Sequence, residues 1–360
     1  MIRFLGWGIL ITVMALFEAT AQSRVELVHA DVSRGEVRDG VSLKILEGNV
    51  HIRQDTIDIF CDQAIYDPQA ARLIFEGNVK ILRGKESLTA RRITYYEETR
   101  IAIAEGRVHL QRPDQELFTD YLEYDYDTDQ ALVRGNVLLH DAQQRVYITA
   151  REGEYLPQED RAYVQRQAHL WQIDTTGTDT LHIYARRLEY HFRPVRKAIA
   201  RDSVRIMRQA LVARCDSAVY LLDEERAVLE RRPRARQEEN FMSGKRMILE
   251  MQNMQLQRII VQDQARAISV VDSLLGKENR LEGDEITVYL TDGKLSSLAA
   301  IRQARSVYYI LEDGRDQGVN TATADTIRVF FKSGELDSIA VKGGAQGTFY
   351  PANYQGTIEP

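Results

Sequence analysis

The chain has 360 residues, of which 28% are charged and 44% hydrophobic, and its net charge is -6. Seven prolines and 22 glycines leave no room for long disordered linkers, so a folded chain is expected. The acidic balance speaks against nucleic-acid binding, which needs a basic patch.

Residues 1–21 have the form of a secretory signal peptide. Arg3 supplies the positive start, Leu5 to Phe17 is apolar, and Ala19-Thr20-Ala21 is a small-x-small cleavage site before Gln22. The run is shorter than the roughly 20 apolar residues that span a bilayer. No cysteine stands at the cleavage site to take a lipid anchor. The mature chain is expected to start near Gln22, exported to the periplasm, with association with the outer membrane left open.

The mature chain repeats itself. Leu46-Glu47-Gly48-Asn49-Val50 returns as Phe75-Glu76-Gly77-Asn78-Val79, Ala104-Glu105-Gly106-Arg107-Val108 and Val133-Arg134-Gly135-Asn136-Val137. The glycines at 48, 77, 106 and 135 lie 29 residues apart, a period that signals a repeat architecture. A second half-motif alternates with the glycine motif: Cys61-Asp62…Ala64…Tyr66, Ala90-Arg91…Ile93…Tyr95, Thr119-Asp120…Leu122…Tyr124, and further copies near Arg151, Arg186, Asp216, Lys245, Asp284 and Asp325. Nine units cover roughly residues 45–345.

Both halves alternate with period two and are separated by turn formers such as Asp67-Pro68 and Asp127-Thr128-Asp129, so each unit reads as an antiparallel hairpin. The alternation slips by one between Cys61 and Ala64, and again between Ala90 and Ile93. A slip at one place in every unit marks a bulge or corner, matched by the glycine on the returning strand. The predicted fold is all-β: an elongated jelly-roll or V-shaped prism of about eighteen strands, extending about 85 Å at about 4.8 Å per strand. The copies near 164–170, 201–206 and 261–265 lose the Gly-Asn pair. Pro233 predicts a local break, and a boundary near 231–245 would divide the repeat into two units. Residues 346–360 read as a loose tail.

Cys61 and Cys215 hold the same position in units five steps apart. At strand spacing that exceeds 20 Å, far beyond the roughly 7 Å limit of a disulfide, so two buried free thiols are expected.

The residues read as inward are Ile57, Ile59, Leu73, Phe75, Val79, Ile81, Leu88, Ile93, Ile101, Ile103, Val108 and Leu110. A trough lined by them would favour acyl chains by roughly 0.8 kcal/mol per buried methylene. The residue types alone favour the same set filling a closed core. The unpaired end strands offer templates for strand addition, including head-to-tail self-association.

No catalytic, metal or cofactor site is expected. The seven histidines show no close ligand spacing, and His51, His109 and His169 read as outward strand residues. Asp62, Asp120, Asp216, Asp284 and Asp325, with Arg91, Arg151 and Arg186 among them, read as one structural corner column whose neighbouring opposite charges pair. Arg226, Arg231, Arg232, Arg234 and Arg236 form the one basic cluster, readable as a solvated face or as a contact for a phosphorylated lipid head or an acidic partner.

The pairing of Cys61-Asp62…Tyr66-Asp67 with Phe75-Glu76-Gly77-Asn78-Val79 resembles the OstA-like family, which includes the lipopolysaccharide-transport bridge protein (LptA) and the N-terminal domain of its outer-membrane partner (LptD). The resemblance runs over residues 22–345, strongest at 45–137, and the chain has more repeats than the short bridge protein. It implies a non-enzymatic jelly-roll whose interior carries lipopolysaccharide acyl chains, with LptC-like and LptD-like proteins as strand-edge partners. A structural or adhesive β-repeat with a closed core is the alternative.

Overall fold

A computed structural model describes residues 25–358, apart from 175–176, 253–254, 292–293, 313–314 and 333–334. The export signal lies outside the described residues. Contacts divide the chain into an N-terminal unit, up to 180 with 184–194, and a C-terminal unit, 195 onward with 181–183. At 231–245, the boundary suggested by the sequence, the ladder continues from strand to strand.

In the N-terminal unit, β1 (Val25–His29) and β2 (Val32–Arg38) both pair with β3 (Val41–Gln54), as one strand interrupted at Ala30-Asp31. Then follow β4 (Ile57–Asp67), β5 (Arg72–Arg83), β6 (Glu86–Tyr96), β7 (Ile101–Gln111), β8 (Gln115–Asp125), β9 (Gln130–Asp141), β10 (Val146–Leu156), β11 (Arg161–Ile173) and β12 (Thr180–His191). From β3 to β11 each strand pairs antiparallel with the next. Aspartates build the hairpin turns. The carboxylates of Asp67, Asp125 and Asp141 accept from the backbone N–H groups of Ala70 (3.0 Å), Asp127 (2.8 Å) and Gln144 (2.9 Å).

The C-terminal unit runs β13 (Lys197–Arg208), β14 (Leu211–Leu221), β15 (Arg226–Glu230), β16 (Arg234–Gln237), β17 (Asn240–Ser243), β18 (Arg246–Gln252), β19 (Gln255–Asp272), β20 (Lys277–Thr291), β21 (Lys294–Glu312), β22 (Arg315–Lys332), β23 (Glu335–Lys342) and β24 (Gln346–Pro351). β15 and β16 both pair with β14, one strand interrupted at Arg231–Pro233, as the proline predicts. β23 and β24 likewise share β22 as partner. Residues 346–351, expected as loose tail, therefore form a strand. The Gly343-Gly344 pair before them has positive φ and is another corner rather than an end.

The corner itself is a pair of consecutive residues with positive φ. Gly48-Asn49, Gly77-Asn78, Gly106-Arg107 and Gly135-Asn136 adopt it, and the ladder register shifts at the same places. So do Arg166-Gln167, Asp202-Ser203, Arg231-Arg232, Asp263-Gln264 and Arg302-Gln303. The bend therefore persists where Gly-Asn is lost. Only glycine enters this region without steric cost, so these later corners are held by the ladder around them.

The paired half-motif packs its corner residue over the glycine. A Cβ on Gly77 would come within 2.2 Å of Asp62 Oδ2, and on Gly135 within 2.6 Å of Asp120 Oδ2. The Asn78 amide donates to Asp62 at 2.9 Å and Asn136 to Asp120 at 2.7 Å. Asp31 meets Asn49 in the same way at 2.9 Å, a copy of the motif missed in the sequence because its strand is short. The carboxylates thus pair with the next strand's corner residue, not with arginines of their own column.

Candidate functional site: the apolar interior

Successive strands stack their inward residues into rows, one on each side of the corner. On one side of the N-terminal unit run Leu46, Ala64, Phe75, Ile93, Ala104, Leu122, Val133, Gly153 and Val164. On the other side run Ile52, Ile59, Ile81, Leu88, Leu110, Leu117, Leu139, Ile148 and Leu170. Both rows are closed through their middle: Phe75 is 2% exposed, Ile93 0% and Leu117 0%. A flanking row alternates large and small, with Tyr95, Tyr124 and Tyr155 beside Ala102, Ala131 and Ala162. Alternation of this kind lets neighbouring side chains interdigitate. Burial raises the pKa of Tyr95 and Tyr155, keeping both phenols neutral.

Of the twelve residues read as inward, ten fall on this face. Phe75 and Ile93 stand in the first row, and Ile59, Ile81, Leu88 and Leu110 in the second. Val79 and Val108 lie beside the corner, Ile57 at the strand start, and Leu73 half-buried beside Tyr66. Ile101 and Ile103 lie on the opposite face, and Ala102 and Ala104 point inward instead. In Ile-Ala-Ile-Ala both parities are apolar, so pattern alone does not select the face.

The N-terminal end of this interior is open. A cavity of about 400 Å³ is lined by Leu46, Ala64, Tyr66 and Leu73 from one side of the corner and Ile52 from the other, together with the polar Ser33, Arg34 and Lys44.

The C-terminal unit repeats the plan with different volumes. One row is Ala200, Ala218, Leu229, Met247, Val261, Ile286, Ala300 and Ile327, buried from Leu229 onward. The row across the corner is Ile206, Ala213, Ala235, Met242, Ala267, Leu281, Ser306 and Ala322. Five of its eight members are Ala or Ser, and Ala235, Met242, Ala267 and Ala322 are only half-buried. At the last strand Val341 stands next to Ile327 in the inward row yet is 37% exposed, so this interior also opens at its edge.

Cys61 and Cys215 are buried free thiols, as expected. Burial pushes them up to about 12 and about 11 respectively. His51, His109 and His169 face outward and stack on Phe60 (4.3 Å), Phe118 (4.1 Å) and Tyr184 (4.0 Å). Among the described residues no group of His, Cys, Asp and Glu could hold a metal ion. No helix among the described residues is long and apolar enough to cross a membrane.

Antiparallel strands turned at a repeated corner around an apolar face define a repetitive all-β protein whose interior is its distinguishing surface. Residues 22–178 match the model of the OstA-like protein family. No curated protein matches. Among solved structures, the chain is similar to LptH of Pseudomonas aeruginosa, the LptA-homologous periplasmic component of a lipopolysaccharide transport device. That likeness has 11% identity and a TM-score of 0.13, and covers 62% of this chain and 92% of that one. The WD40 domain of SCAP from fission yeast also matches, at 8% identity and TM-score 0.13, over 85% of this chain and 94% of that one. Both scores are too low to bear on the fold.

Proposed function

We propose that this protein is a non-enzymatic lipopolysaccharide carrier of the periplasm, holding acyl chains against its apolar interior on the way to the outer membrane. The match of residues 22–178 to the OstA-like family supports the reading. The observation that carries it is the inward row from Ile206 to Ala322, where small, half-buried residues line an apolar wall. Small side chains on one wall leave volume for a guest, and each methylene buried there contributes roughly 0.8 kcal/mol.

The exposed apolar residues of the end strands support strand-edge partners. Val28, Val32 and Val37 are exposed on β1 and β2, and Ile339, Val341 and Phe349 on β23 and β24. LptC-like and LptD-like proteins, or a second copy of this chain, are the partners proposed for those edges. Light scattering across a concentration series tests the self-association, and a constant monomer mass contradicts it.

A closed structural core is the second reading, favoured in the N-terminal unit by the burial of Phe75, Ile93 and Leu117. Binding of radiolabelled lipopolysaccharide to the mature protein separates the two. The carrier reading expects saturable binding that Ala235→Phe abolishes; absence of saturable binding overturns it.

A further inference from the structure

At the interrupted strand of the C-terminal unit, the corner slot that holds Gly-Asn at 48–49, 77–78 and 135–136 holds Arg231-Arg232, with φ of 62° and 59°. Around it, Arg205 of β13, Arg214 of β14 and Arg234 of β16 stand directly opposite one another in the ladder. The five arginines line one open cavity of about 490 Å³, and Asp216 is its only carboxylate. All five are exposed, and among the described residues none of them is ion-paired. The same outward row two strands further on behaves ordinarily: Arg266 faces Glu282 and pairs with it at 2.7 Å.

Like charges directly opposite across a ladder destabilise a sheet, and arginine in the left-handed region adds steric cost. A chain of net charge -6 has carboxylates to spare, yet places only Asp216 beside these five arginines. An arrangement that disfavours the empty fold is explained by what it binds. Planar guanidinium forks pair bidentately with phosphate oxygens, and a multiply charged anion between three of them relieves their repulsion.

We propose that Arg205, Arg214 and Arg234, with Arg231 and Arg232, form a binding site for a phosphate-bearing ligand, either a free phosphate compound or the phosphorylated sugar head of a lipid. The site lies on the outward face and does not depend on lipid entering the interior.

Calorimetry of the mature protein with inorganic pyrophosphate, at fixed ionic strength, tests it. Saturable binding is expected, weakened about tenfold by Arg214→Gln. Because Arg214 is flanked by like charges on both sides, that variant should unfold without ligand at the same temperature as the parent or higher. Unchanged affinity in Arg214→Gln, or no pyrophosphate binding by the parent, overturns the site. Flotation with phosphatidylcholine vesicles carrying a phosphorylated or an enzymatically dephosphorylated glycolipid then identifies the source. Retention on the phosphorylated lipid alone, lost in Arg214→Gln, assigns a lipid head. Pyrophosphate binding without a difference between the vesicles assigns a free phosphate compound.

Discussion

The two units use one backbone plan with opposite emphasis. In the N-terminal unit the row from Ile52 to Leu170 is branched aliphatic at every position and closed through its middle. Its counterpart in the C-terminal unit, from Ile206 to Ala322, is mostly small and half-buried. Corners differ too: four of the N-terminal ones have glycine first, whereas Asp202-Ser203, Asp263-Gln264 and Arg302-Gln303 bend in the same sense without it. Sheet geometry requires the bend, and glycine only lowers its cost. The inward volume is free to vary, and there function can differ between the units.

Truncation in the closed row should have the largest effect. Leu117→Ala should lower stability by about 3 kcal/mol in urea unfolding, because Leu117 is wholly buried. The contrasting change, Ala322→Leu in the open row, should alter stability by under about 1 kcal/mol. Equal penalties would dissolve the distinction between the units.

Next comes the corner. Gly77→Val should cost about 3 kcal/mol, since its φ is +72° and a Cβ would meet Asp62 Oδ2 at 2.2 Å. Conversely, Asp202→Gly should stabilise by about 1 kcal/mol, because Asp202 holds φ of 62° without that freedom. A loss on Asp202→Gly would mean that its side chain, rather than the ladder, holds the bend.

The smallest effect is alkaline. The thiol of Cys61 titrates at about 12 in the fold against 9.0 for the free group. A raised folded pKa stabilises fully below 9.0, and that contribution is lost as pH climbs toward about 12. Both thiols should resist alkylation at pH 8 until denaturant is added; rapid reaction of the native protein would contradict their burial.

Much of this was legible in the sequence because the period is strict where glycine marks it. The slip between Cys61 and Ala64 appears as the buried positions 59, 61 and 64 of β4. Three things were not legible. Ile101 and Ile103 sit in a segment apolar at both parities, so only pairing chooses the face. Asp31 belongs to a strand too short to show periodicity. The strand at 346–351 follows two glycines, which read as chain loosening but serve as a corner. Nor could the opening of the interior be read from residue types, since Ala235 and Ala213 look alike until burial separates them.

In-cell photo-crosslinking reads directly whether acyl chains enter the interior. A photoreactive residue at Ala267, inward and half-buried, is compared with one at Ile268, equally half-buried on the other face. A lipopolysaccharide adduct is expected at 267 and none at 268. No adduct at 267, or equal adducts at both, would contradict an acyl-lined interior.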